Sequence, residues 1–152
     1  MSLDRNLDHL QPCARVKVKL WLNDVLYEAN HNEGLRLFLN EGLRSYSRQN
    51  ELYAQGRTTN GPRVTNAKGG QSYHNFGFAV DVVPLIPGTK TPNWNFNVKD
   101  PKWRRVVELA RKRGLDWGGD WLFKDFPHFQ STGAPKLADC RKKWPTGWDP
   151  EA

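Results

Sequence analysis

The sequence predicts a single α+β domain in which a small antiparallel sheet packs against helices. Three observations lead there. The 152 residues match one ordinary domain and are too few for two. Stretches with apolar residues at helical spacing are mixed along the chain with shorter alternating stretches. No internal repeat, linker or low-complexity block divides it. A hydrophobic content of 38% with seven Trp suffices for one core, and 26% charged residues with no long apolar run exclude a membrane-spanning helix.

From Pro12 to about Asn30, Val18, Trp21, Leu22, Val25, Leu26 and Ala29 recur at helical spacing, with Gly34 as a stop, so an N-terminal helix is expected over about residues 12–30. Leu35, Leu37 and Leu39 alternate with Arg36, Phe38 and Asn40, the period of a short strand. A second helix is expected from Ser45 or Ser47 to Gln55, with a capping Ser before it and Gly56 after it. Residues 56–72 hold four Gly, a Pro and no periodicity, and loops of that length are functional or mobile. Phe76 to Pro84 reads as a strand, followed by an irregular segment. Asp100-Pro101 opens a third helix, in which Trp103, Val106, Val107 and Ala110 form the apolar stripe and Gly114 closes the end. A turn and strand in "LFKDFPHFQ" and an irregular polar tail over about 131–152, with three Pro, complete the chain.

A net charge of +7 favours an anionic partner, and nucleic acid, an anionic membrane and an acidic wall polymer all satisfy it. Cys13 and Cys140 form no CxxC pair, which argues against a zinc knuckle or a dithiol motif; they read as free thiols, with one end-to-end bridge as the alternative. The first 21 residues carry early acidic groups and no continuous apolar stretch, so no secretory leader is expected and synthesis is placed in the cytoplasm.

The chemistry concentrates in two short segments. In "SYHNFGFAVD", Asp81 falls on the same side of a strand as Ala79 and Val83, where a bare carboxylate is costly unless it is paired or binds a cation. Arg44, Arg63, or a metal shared with His74 through a bend near Gly77 are the candidates. In "DFPHF", Asp125 stands three residues before His128. Two His and one Asp would give three protein ligands and an open position, the arrangement of catalytic zinc, with Asp125 close enough to take a proton from water. His9 and His31 have no acidic or histidine neighbour at ligand spacing and read as solvated.

"SYHNFGFAVD" resembles the SxHxxGxAxD motif of zinc peptidases that include D-alanyl-D-alanine carboxypeptidases, vancomycin-resistance dipeptidases and bacteriophage L-alanyl-D-glutamate endopeptidases. "DFPH" resembles their second motif, and "EGLRSYSRQNELYAQGRT", "VTNAKGGQS" and "WGGDW" extend the likeness in order over about residues 35–130. The resemblance implies a hedgehog/D,D-peptidase-like fold, one Zn²⁺ on His74, Asp81 and His128, and Asp125 as general base. It also implies Arg44 as the group that polarises the scissile carbonyl, and substrate contacts by Gln49 and Ser72. The carboxypeptidases typically carry Glu where this chain has Asp125, which points to the L-alanyl-D-glutamate bond of the peptidoglycan stem peptide. A bacteriophage endolysin or related wall-lytic enzyme, monomeric and reaching the periplasm with a holin's help, is the implied setting. A D,D-carboxypeptidase and a non-catalytic zinc-stabilised binding module are the alternatives; nucleic-acid binding rests on charge alone and is not expected. Trp117 and Trp121 read as core aromatics, while Asp120 is open between a backbone contact and a contact to a ligand His. "KWRRVVELARKR" reads as the solvent face of the third helix, with contact to anionic wall polymer or membrane as a secondary role.

Overall fold

In this computed structural model, which describes residues 3–152, α1 spans Pro12–His31, β1 Leu37–Glu41, α2 Tyr46–Ala54 and β2 Ala79–Pro84. They are followed by α3 at Pro101–Lys112, β3 at Leu115–Trp117, β4 at His128–Ser131 and α4 at Leu137–Lys143, with single 3₁₀ turns at Leu7–His9, Tyr73–Phe76 and Gly118–Asp120. Met1 and Ser2, the start of the segment read for a leader, lie outside the described residues. No described helix is long and apolar enough to cross a membrane.

The strands form one antiparallel sheet in the order β1-β2-β4-β3. Because successive side chains of a strand face opposite ways, β2 serves two purposes. Val80 and Val82 enter the main core, where they meet Val18 and Trp21 of α1 and Val106 and Ala110 of α3. Phe129, opposite Val80 on β4, packs its ring 4.4 Å from that of Trp21, whose indole N–H donates to the Val106 carbonyl at 3.0 Å. Asp81 and its cross-strand partner His128 face the other way. One face of the sheet is therefore core, and the other is free to build a site.

Local chemistry sets the ends of the elements. Ser45 caps α2 by accepting from the Arg48 amide at 3.0 Å, and Asp100 caps α3 in front of Pro101. Several expected boundaries move. The strand expected from Phe76 begins at Ala79, because Ser72 and Asn75 form a capping box that winds Tyr73–Phe76 into a 3₁₀ turn instead. Gly77 ends that turn at φ 73°, and a Cβ there would press within 2.9 Å of both the Gln11 nitrogen and the Trp148 ring. The first strand starts two residues later than expected, at Leu37, and runs on to Glu41. Leu26, assigned to the apolar stripe of α1, is 49% exposed. β3 was not anticipated in "GLDWGGDW"; at three residues it is too short for alternation to register.

The C-terminal tail is also more ordered than expected. Leu137, Cys140 and Trp144 recur at helical spacing, and α4 carries them onto Phe76 and Phe78 in a second apolar cluster. The prolines lie outside the helix, so they bracket it without breaking it. Cys140 is buried and Cys13 exposed, and both are free thiols as expected. The basic run of α3 does face solvent, with much of its charge paired: Arg105 with Glu28 at 2.6 Å, Arg111 with Asp120 at 2.6 Å and Arg113 with Asp24 at 2.6 Å.

Candidate functional site

The sheet face opposite the helices opens into a cleft of ≈640 Å³, and Arg44, Ser72, His74, Asp81, Asp125 and His128 all line it. Segments far apart in sequence bring them together. Asp81 and His128 sit opposite each other in the β2–β4 ladder. His74 comes from the 3₁₀ turn, which is tied to the end of β1 by three reciprocal bonds. Its Nδ1 lies 2.7 Å from the Gly42 carbonyl, its own carbonyl accepts from the Arg44 amide at 2.9 Å, and the neighbouring Asn75 donates to the Arg44 carbonyl at 2.9 Å. His74 and Arg44 are thus positioned by the same contacts.

A bulge completes the arrangement. Leu39 pairs with Val82 but Glu41 pairs with Asp81, so Asn40 is an extra residue and Glu41 is turned from the core side to the cleft side. There its buried carboxylate receives Arg44 Nη2 at 2.8 Å and Arg48 Nε at 3.4 Å. Arg44 Nη2 also reaches Asp81 Oδ2 at 3.2 Å, and Nη1 donates to Gln49 at 3.1 Å. Asp81 is therefore answered by Arg44, while Arg63 lies away from it in the exposed loop.

The donor set fits a metal. Because the Gly42 carbonyl can only accept, His74 Nδ1 carries the proton and Nε2 presents a lone pair; the Gln130 side-chain oxygen, 2.8 Å from His128 Nε2, does the same for Nδ1 of that ring. His74 Nε2 and His128 Nδ1 then lie 3.2 and 3.5 Å from Asp81 Oδ1. His74 Nε2 and Asp81 Oδ1 are buried without a hydrogen-bond partner, and one ligand atom from each of the three residues lies within 4.8 Å of the others. Lone pairs crowded in this way without donors between them are satisfied by a cation. Among the described residues this is the one group of His, Cys, Asp and Glu with that geometry.

The electrostatics agree. When no cation is bound, the two rings can instead carry protons toward Asp81; burial opposes its charge, yet these imidazoles outweigh burial and hold its pKa well below the carboxylate range. Burial likewise opposes a charged His128, but Asp81 and then Asp125 raise its pKa overall. Asp125 moves up, chiefly because the surrounding protein strips water from it. It stands 3.8 Å from His128 Nδ1 and is about half exposed, at the mouth of the cleft. The loop that carries it rests on Gly118, whose carbonyl accepts from the Asp125 amide at 3.0 Å; a Cβ at Gly118 would collide with the Asp125 backbone.

The other expected residues divide. Ser72 lines the cleft and caps the His74 turn. Gln49 is fully buried and does not line the cleft, its amide being spent on Arg44 and the Ala67 carbonyl. Trp117 is core, but Trp121, also expected there, lines the cleft with its ring 4.9 Å from that of His128; the 3₁₀ turn between them sends the two rings to different places. Asp120 is on the surface with Arg111. His9 is not simply solvated, since its Nδ1 meets Asp4 at 2.7 Å, whereas His31 is exposed. Glu41, Arg48 and Gln130 were not singled out. Spacing could have found two of them: Glu41 stands three residues before Arg44, and Gln130 two after His128 on the same strand face.

Comparisons with known proteins agree with this geometry. Residues 65–131 match a family described as D-alanyl-D-alanine carboxypeptidase. The peptidoglycan L-alanyl-D-glutamate endopeptidase CwlK of Bacillus subtilis (strain 168) is 45% identical over 114 residues, covering 70% of this chain and 67% of CwlK. The L-alanyl-D-glutamate peptidase of Listeria phage A118 is 43% identical over 61 residues, which are 40% of this chain but only 21% of the phage protein. The crystal structure of the Serratia marcescens L-Ala D-Glu endopeptidase ChiX superposes with a TM-score of 0.56 at 28% identity, covering 84% of each chain. The cleft and these likenesses lead to one conclusion: the chain belongs to the D-alanyl-D-alanine carboxypeptidase family of metallopeptidases, alongside L-alanyl-D-glutamate endopeptidases.

Proposed function

We propose that the protein is a zinc-dependent peptidoglycan hydrolase that cuts the stem peptide between L-alanine and D-glutamate. The observation that carries this reading is the joint placement of the His74, Asp81 and His128 donor set with Asp125 and Arg44 in one cleft. A purely structural metal site would need neither Asp125 nor Arg44. The names of CwlK, the phage A118 enzyme and ChiX support the choice of bond, as does Asp rather than Glu at position 125. Wall lysis in a bacteriophage or bacterial setting follows from the same chemistry.

Zinc held by His74, Asp81 and His128 would supply Lewis acidity, lowering the pKa of water and polarising a carbonyl. The remaining work falls to the chain's own side chains. Asp125 takes a proton from the attacking water and passes it to the leaving amine; its raised pKa narrows the gap between the two transfers. Arg44, anchored by Glu41, Asp81 and Gln49, holds a fixed positive charge beside the point where negative charge grows on the carbonyl oxygen. Ser72 holds the His74 turn at the cleft wall. Gln49, read from its burial, orients Arg44 rather than meeting substrate.

Mass spectrometry of purified peptidoglycan digested by the zinc-loaded protein tests the reading. New amino termini at D-glutamate, absent after chelation, are the expected result. Release of D-alanine alone would instead assign a carboxypeptidase, the activity for which the matched family is described. Intact muropeptides from a folded, zinc-loaded protein would leave only a binding module.

Zinc affinity should also fall as pH drops, because protons and metal compete for His128. The fall should begin at higher pH than for an ordinary imidazole, since the pKa of His128 is raised in the metal-free protein. The stability of the metal-free protein runs the opposite way. The contribution of protonated His128 paired with Asp81 is fully present below the unfolded imidazole pKa and is lost as pH rises through the folded value. Chelator-competition titrations and thermal melts across this range check both signs; an affinity that does not change with pH would rule out His128 as a ligand.

A further inference from the structure

Two arginines line the cleft, and they are not equivalent. Arg44 is nearly buried, with Nη1 committed to Gln49 and Nη2 to Glu41 and Asp81. Arg48 is held only through Nε, 3.4 Å from Glu41 Oε2, and among the described residues its two Nη nitrogens make no hydrogen bond. Its side chain keeps 23% exposure. The single carboxylate of Glu41 lies between two guanidiniums, so this trio carries one positive charge in excess, and the cleft lining offers no other open cationic donor.

We propose that Arg48 forms a carboxylate-binding subsite that receives the free carboxylate of the D-glutamyl residue on the leaving-group side of the scissile bond. The inference rests on the endopeptidase reading above and adds to it the group that recognises the substrate. Glutamate has two carboxyls. When the stem peptide continues through the side-chain carboxyl, the other stays free on the carbon that bears the leaving nitrogen, and it must enter the cleft together with the scissile bond. Asp125 and Asp81 repel an anion there. Arg48 sits beside Arg44 across the Glu41 carboxylate and lines the same cleft as His74, Asp81 and His128, with the open edge of its guanidinium free of hydrogen bonds among the described residues. A planar fork with two free donors is the geometry that carboxylates accept in a bidentate manner. Holding Arg48 by Nε alone fixes the plane of the fork and leaves both Nη groups for the ligand.

The test compares two stem-peptide substrates that share the L-alanyl-D-glutamyl bond, one with the free carboxylate and one with that group converted to the amide. The wild-type, zinc-loaded protein is expected to favour the free acid. Arg48→Gln should raise KM for the acid by about 10- to 100-fold, in line with losing hydrogen bonds to a charged group, while kcat and the amide substrate change little. Arg48→Lys, which keeps the charge but loses the fork, should fall between the two and guards against a folding defect in Arg48→Gln, as do melting curves and zinc content. Equal losses on both substrates would reduce Arg48 to a support for Glu41 and overturn the proposal, and so would no loss on either. If the wild-type protein cuts neither substrate, the endopeptidase reading itself fails and the subsite falls with it, an outcome distinct from wild-type cleavage that Arg48→Gln leaves without discrimination.

Discussion

Asp81→Asn is expected to release the metal and reduce hydrolysis to the level of the chelated protein, while the chain stays folded. Asp81 is the one anionic member of the donor set and contacts His74, His128 and Arg44 at once. An amide of the same shape keeps the packing but removes the charge that balances the cation. Loss of an outer hydrogen-bond partner of a ligand weakens metal binding by about 10- to 100-fold; loss of a ligand's charge should exceed that. Glu41 and Gln49 still anchor Arg44, so the guanidinium is not left alone in the wall of the cleft. Metal content after desalting, read beside circular dichroism, decides the matter. An Asp81→Asn protein that retains one zinc per chain with wild-type affinity would contradict the assigned donor set.

Asp125→Asn separates chemistry from binding. Asp125 lies at the cleft mouth, half exposed and outside the three-residue cluster, so its replacement should leave zinc content and melting temperature unchanged. Turnover should fall by about 10²- to 10⁴-fold, the usual contribution of a positioned proton-transfer group, with little change in KM. Single-turnover kinetics on a defined stem peptide provide the measure. A kcat within tenfold of wild type would assign the proton transfer to another group. Asp125→Glu restores the carboxylate on a longer arm and should recover part of the rate.

Much of this was legible in the sequence because the relevant signals are local. Helical spacing located α1 and α3, and the stretches from Ser72 to Asp81 and from Asp125 to His128 carried the donor set within a few residues each. What stayed hidden depends on distant partners. Nothing near Glu41 reveals the bulge that turns it toward Arg44, since the bulge exists only in the pairing with β2. Gln49 was expected to contact substrate, and nothing near it in sequence reveals its burial, which involves the distant loop whose Ala67 carbonyl it meets. Trp121 and Trp117 are indistinguishable by composition and are separated only by the turn between them. The short helix in the tail was obscured by prolines that lie outside it.

The pairing of Asp81 with His128 has a kinetic meaning as well. These residues lie 47 positions apart (128 − 81), yet they face each other directly across β2 and β4. Closing so long a loop is entropically costly, so contacts of this kind tend to form late in folding. The turn that carries His74 leans on material later still, since the Trp148 amide donates to the Asn75 carbonyl at 2.9 Å. A chain emerging from the ribosome therefore has no complete donor set until His128 has been made, and the turn that carries His74 is braced only once the segment reaching Trp148 has folded back onto it.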